Sequence, residues 1–364
     1  MSTSQIRAFA FLLASSFAFA ACNDTGTATA DYAPLLAQLT SVALPEHADL
    51  ATKSDALDAA ALTLEATPTA DSLAATQTAW RAARAALRKL DALHFGPIAT
   101  LGIGDRIDAS PADDTSIDGI VAATTPIDST FIGSLGDTSK GFLGVEYLLF
   151  SADGADAALA RLVGDGAPAR RRTLLRAMCD EVAASAHALS DAWSDPTTGY
   201  ALAITTAGAG SKVYPRQRGA LDDLVGGSAY ALEVVVGIRL AIPLGKKSTT
   251  GMPDPSADPT LASDSAVNDM NATLAGTLAM WSGQGFNAQV LSSSAQMDSQ
   301  AVTEQTACDT SVAAIPSPFA AAVVNQTATV TAAYDACKTW KDSWNMELTS
   351  ALGASLQVSD NDGD

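Results

Sequence analysis

Glu146 is the one carboxylate in "KGFLGVEYLLF", the largely apolar stretch from Lys140 to Phe150. Read as a helix, Phe142, Val145 and Leu149 share one face, and Leu143, Glu146 and Phe150 lie beside one another at i, i+3 and i+7. The carboxylate therefore points into or along a packed surface, where an unpaired charge is costly. It must be ion-paired, protonated or bound to something, so it is a satisfied core residue, a catalytic group or a metal ligand. Glu233 in "YALEVVVGIRL" poses the same question, with Arg239 or Arg216 as its candidate partner. Two such glutamates from different bundles could converge on one cleft.

Other chemistry-bearing patterns are sparse. The histidines are His47, His94 and His187, and no HExxH or cysteine–histidine zinc spacing occurs. His187 reads as a helix residue at the surface or core margin. His94, just before Gly96-Pro97, is the histidine best placed to stand near a site. Nucleophile-elbow, P-loop and dinucleotide fingerprints are absent, and "GIGD" and "GAGSK" lack the strand–helix context that phosphate loops need. Arg81, Arg84, Arg88 and Asp91 share a helical stripe, which reads as a solvated or ion-paired face.

The elements that must position these groups are helical. "TADSLAATQTAWRAARAALRKLDAL" repeats Leu73, Trp80 and Leu87 at sevens, with Thr69 or Asp71 as its cap, and "HFGPI" ends it. A loop-rich stretch over about 98–137 follows, long enough to suggest a functional role. "RRRTLLRAMCDEVAASAHALSDAW" is a second long helix, and "RQRGALDDLVGGSAYALEVVVGIRL" a third, ending near Leu240. "KKSTTGMPDPSADPT" reads as a linker. Beyond it, helices are expected near 264–282 and 296–311, then a long one from Ser317 to Leu352. Without alternating strands, the expectation is an all-α fold of two packed helical bundles, the second of four-helix type. The expected division is 32–165 for the N-terminal domain and 166–354 for the C-terminal bundle, with 355–364 an acidic disordered tail.

The first residues read as a processing segment. Arg7, the apolar "AFAFLLASSFAFAA" and the small residues before Cys22 resemble a lipoprotein signal over 1–22, with Cys22 as the lipidated N-terminus and 23–31 a tether. A formal charge of −19 and a pI near 4.3 exclude nucleic acid as a natural partner. Cys179, Cys308 and Cys337 remain. Cys337 would lie about 20 residues beyond the break at "AAIPSPF", roughly 30 Å along a helix, so no disulfide is expected.

Five segments, in order, resemble the imelysin family over essentially the whole mature region. "AWRAARAALRKLDALHFGPI" is similar to its Trp-bearing helix ending in Phe-Gly-Pro, and "DRIDASP" to its Ile-Asp-x-x-Pro loop. "GFLGVEYLLF" stands where the family carries Gly-x-His-x-x-Glu followed by Leu-Leu-Phe. "IRLAIPLGK" and "SDSAVNDMNATLAG" resemble later segments. Trp80, Gly96, Pro97, Asp108, Pro111, Gly141 and Glu146 match, but Leu143 occupies the motif histidine's place and Asp91 stands where Glu is common.

The resemblance implies an all-helical envelope protein linked to iron uptake, with a metallopeptidase label on some members. It places a degenerate metal site at Glu146, Asp108, Asp91 and His94, in a pocket with Leu143, Gly141, Trp80, Arg106 and Glu233. Leu143 cannot ligate, and even a supporting contact around a metal is worth about 10–100-fold in affinity. The expectation is therefore weak Fe or Zn binding and no hydrolysis. The protein would be a lipid-anchored, periplasm-facing accessory, on the outer membrane rather than the inner, working with iron-uptake proteins. A metallopeptidase using Glu146 and a purely structural module are the alternatives.

Overall fold

The computed structural model describes residues 30–356. Cys22, most of the tether and most of the acidic tail lie outside the described residues. Residues 32–356 cluster as one compact unit, and the described residues contain helices and no strands. Eight helices organise it: α1 (Ala33–Ala66), α2 (Ala70–Lys89), α3 (Gly141–Leu149), α4 (Ala167–Ser194), α5 (Gln217–Glu233), α6 (Ala266–Trp281), α7 (Ala295–Ala313) and α8 (Thr327–Ser343). The fold is all-α.

The first group packs α1 along α4 and α2, with α3 against α2 and α4. Helix α4 thus sits with the helices that precede it in the chain. In the second group α5 continues through a π-helical turn, Val234–Leu240, and packs with α6, α7 and α8 in a four-helix arrangement. Helix α6 also lies on α2 and joins the two groups. That approach is close: a Cβ on Gly276 of α6 would come within 2.1 Å of the Lys89 carbonyl oxygen, so only glycine fits. Trp80, Trp193, Trp281, Trp340 and Trp344 are all buried and anchor the core, each removing a large apolar area from water.

Helix α1 is the longest element, and periodicity in large apolar residues does not reveal it. Its buried positions include Leu36, Leu39, Ala43, His47, Leu50, Ser54, Leu57, Ala61 and Leu64, a continuous stripe at spacings of three and four. Small and polar members interrupt the stripe at the sequence level. Pro45 lies within the helix on its exposed side. Helix α2 starts at Thr69, whose Oγ1 accepts from the Ser72 N–H at 3.2 Å while Ser72 Oγ accepts from the Thr69 N–H at 2.9 Å. This reciprocal cap satisfies two donors that the helix leaves unpaired.

Three sequence expectations need correction. The stretch 98–137 carries short helices at Ile103–Asp108, Asp114–Ala122 and Ser129–Ser134, the last two capped by the Asp113 and Asp128 side chains. The single helix expected from Ser317 breaks at Gln326, leaving Phe319–Asn325 as a separate short turn before α8. That break shortens the arm carrying Cys337 by two helical turns. Cys308 on α7 and Cys337 on α8 then face each other, with Cα atoms 4.4 Å apart, and form a disulfide. Cys179 is buried and free, and burial pushes its thiol far above the usual range.

Candidate functional site

Helix α3 is positioned at its first residue. Gly141 adopts φ +69°, and a Cβ there would meet the Ile107 carbonyl oxygen at 2.6 Å. Glycine permits both the backbone angle and the approach. The Trp80 indole N–H donates to the Phe142 carbonyl at 3.0 Å and holds the start of α3 against α2. Leu143 and Glu146, one turn apart, then face the same cleft, which has a volume of about 500 Å³.

Glu146 is 3 % exposed. Its Oε1 accepts from the Ser263 backbone N–H at 2.9 Å. Burial pushes its carboxyl up to about 7, against the opposing pull of Arg84 and of the Ser263 hydrogen bonds. At neutral pH this carboxyl is therefore shared between its charged and protonated forms. The facing wall is the segment from Ser256 to Ala262, part of which reads as linker in the sequence. Asp258, 5 % exposed, shapes that wall: its Oδ1 accepts from the Thr260 N–H and hydroxyl, both at 2.9 Å. Its Oδ2 is buried without a hydrogen-bond partner, and burial raises its pKa. Asp258 escapes a search by motif; the repeated "DPSADPT", with Asp ahead of Ser or Thr at turn spacing, is its only trace.

The other expected ligands lie elsewhere. Asp91, His94 and Asp108 line a separate cavity of about 150 Å³ with Arg88, Asp105 and Tyr230. Asp108 Oδ1 accepts from Arg84 and Oδ2 from Arg88, each at 2.6 Å. Burial alone would raise the Asp108 carboxyl, but these two guanidinium groups hold it below its usual range. Asp91 Oδ2 accepts from the Thr273 hydroxyl at 2.7 Å, and burial raises its pKa despite Arg88. The His94 ring stacks on Tyr230 with centroids 4.3 Å apart, and burial lowers its pKa.

Arg84, 1 % exposed, also donates to Asp269 at 2.8 Å, and Arg239 reaches the same Asp269 at 3.1 Å. Arg84 and Arg88 of the α2 stripe are thus the core of a buried ion network spanning α2, α6 and the π-helical turn, the ion-paired face of the two the sequence allows, while Arg81 is exposed. Asp269 and Arg239 were not legible as its members. Arg239 pairs with Asp269, whereas Glu233 is engaged by Lys247 at 3.3 Å and Lys341 at 2.6 Å and lines neither cavity. Arg106 is half-buried on Ile103–Asp108 and lines neither cavity. His187 pairs with Asp55 at the surface, and His47 is buried against Trp193.

These residues do not fit a resident metal ion. Among the described residues no three of His, Cys, Asp and Glu stand close enough to hold one. Glu146 is separated from Asp91, His94 and Asp108 by the division into two cavities, and the guanidinium groups of Arg84 and Arg88 pair with Asp108 and Asp91.

The family model of Imelysin matches residues 43–343. The chain belongs to the imelysin family. Among curated proteins it is similar to iron-regulated protein A of Synechococcus elongatus, 24 % identical over 245 residues; the match spans 67 % of this chain and 62 % of that relative's length. Among solved structures it resembles one from Parabacteroides distasonis, provisionally described as an iron-regulated protein A precursor, with TM-score 0.73 and 18 % identity over 90 % of this chain and 97 % of that one. An imelysin-like protein from Psychrobacter arcticum aligns with TM-score 0.62 and 17 % identity, covering 88 % and 96 %. At these identities the two structures establish the shared imelysin-type helical fold.

Proposed function

We propose that this imelysin-family chain is a non-hydrolytic binding or accessory protein of iron acquisition, in which the metal position beside Glu146 is lost. One observation carries the reading: a buried leucine, Leu143, stands one turn from Glu146 on the cleft wall, where the family motif has histidine. Enclosing that leucine contributes about 1.5–3 kcal/mol to the fold but supplies no ligand. Asp108 cannot substitute, since both its oxygens are committed to arginines. Any binding of Fe or Zn is accordingly weak.

The iron-regulated descriptions of two relatives support the assignment to iron acquisition. The Cys308–Cys337 disulfide suits an oxidising compartment such as the bacterial envelope. No described helix is long and apolar enough to cross a membrane. On this reading Cys22 carries a lipid that holds the protein at the periplasmic side of a membrane, the outer one in preference to the inner, and its partners are iron-uptake proteins. The test of hydrolysis is incubation of the full chain with an unfolded protein substrate and added Zn or Fe ions. No cleavage above that of a Glu146→Gln variant is expected. Metal-dependent cleavage that the variant abolishes would establish the peptidase instead.

A further inference from the structure

We propose that the cleft beside Glu146 binds a small organic cation, a protonated amine on a short apolar body, with Asp258 as its principal anchor. The inference rests on the reading of this cleft as a binding site and adds the class of ligand. Three carboxylates line the cleft, Asp114 at its exposed rim and Glu146 and Asp258 within, and no Lys, Arg or His among the described residues lines it. The remaining surface includes Leu143, Tyr147 and Leu261. Tyr147 gives its hydroxyl proton to Asp118, so it offers no free donor to a guest.

The deciding atom is Asp258 Oδ2. The other oxygen of this carboxylate is fully occupied by Thr260, while Oδ2 is buried and unpartnered. A buried carboxylate oxygen without a donor is costly, and an ammonium group supplies three donors and a compensating charge. Glu146 is a weaker anchor, because it already accepts from Ser263 and feels both Arg84 and Arg81, whereas Asp258, which also feels Arg239, keeps Oδ2 unpartnered. A bare metal ion matches the space poorly. The cleft, at about 500 Å³, lies in the range that small organic ligands fill, with apolar walls and a few convergent polar groups.

The test is calorimetric titration of the full chain with phenethylamine and with phenethyl alcohol, its uncharged counterpart. Saturable binding of the amine is expected, with the alcohol at least ~10-fold weaker. Asp258→Asn keeps the acceptor that Thr260 needs and removes the charge; it should weaken the amine by at least ~10-fold without lowering the thermal melt of the free protein. Glu146→Gln should weaken it by a smaller factor. Equal affinity for the two probes, an amine affinity that Asp258→Asn leaves unchanged, or no binding at millimolar amine would each overturn the inference. Cleavage activity in the preceding assay would overturn the non-hydrolytic reading alone, since amine binding is measured without turnover.

Discussion

Glu146 sits where a carboxylate is expensive, and its surroundings only partly compensate it. One backbone N–H and the field of Arg84 favour the charged form, but burial outweighs them and moves the folded-state pKa from 4.5 to about 7. The sign follows directly. A group whose pKa is raised by folding contributes most at low pH, and that contribution is lost as pH rises from about 4.5 through about 7. Glu146→Gln, which retains an oxygen for the Ser263 N–H, should therefore match the native protein near pH 5 and exceed its stability above pH 7, by on the order of 3 kcal/mol at most. Urea unfolding at both pH values measures this. A variant less stable than native above pH 7 would show that the charged carboxylate is held by interactions beyond Ser263 and Arg84.

At the scale of elements, much was legible where apolar periodicity and capping residues agree. Helix α2 is capped by Thr69, one of the two residues its sequence offers, and the chain from Gln217 stays helical to Leu240. Helix α1 escaped because Ala43, His47, Ser54 and Ala61 fill core positions where larger apolar residues would have marked the stripe. The cleft was half legible. Leu143 and Glu146 share a wall as their spacing requires, but the opposing wall comes from a Pro- and Ser-rich stretch whose composition resembles a linker. Glu233 and Glu146 look alike in sequence, yet their neighbours decide their fates: Lys341 at the end of α8 and Lys247 in a turn reach the one, while the other faces the cleft.

The α7–α8 hairpin shows the same dependence on element ends, since one break at Gln326 converts two distant cysteines into a pair. Their separation of 29 residues corresponds, on loop-closure entropy, to about 3–4 kcal/mol of stabilisation. The paired variant Cys308→Ala/Cys337→Ala should lose roughly that much in urea unfolding, with the far-ultraviolet spectrum unchanged. A loss well under 1 kcal/mol would show that packing alone holds α7 against α8.

Across the two helical groups, the Arg84–Asp108–Asp269–Arg239 network ties one to the other and commits carboxylates that would otherwise be open to a cation. The family resemblance was readable from ordered motifs, and the departure at Leu143 was readable with it. That Asp108 is consumed by arginines was not, because the short helix Ile103–Asp108 must first fold back onto α2 to meet Arg84 and Arg88. The proposed function requires that this cleft has lost a metal position at residue 143. Titration of the native chain and of Leu143→His with Zn or Fe ions, read by calorimetry with paired thermal melts, tests it most directly. The native protein should bind weakly, and the variant, with an imidazole one turn from Glu146, at least ~10-fold more tightly. Metal should also raise the variant's melting temperature more than the native protein's. Tight binding by the native protein, or no gain in the variant, would contradict the claim.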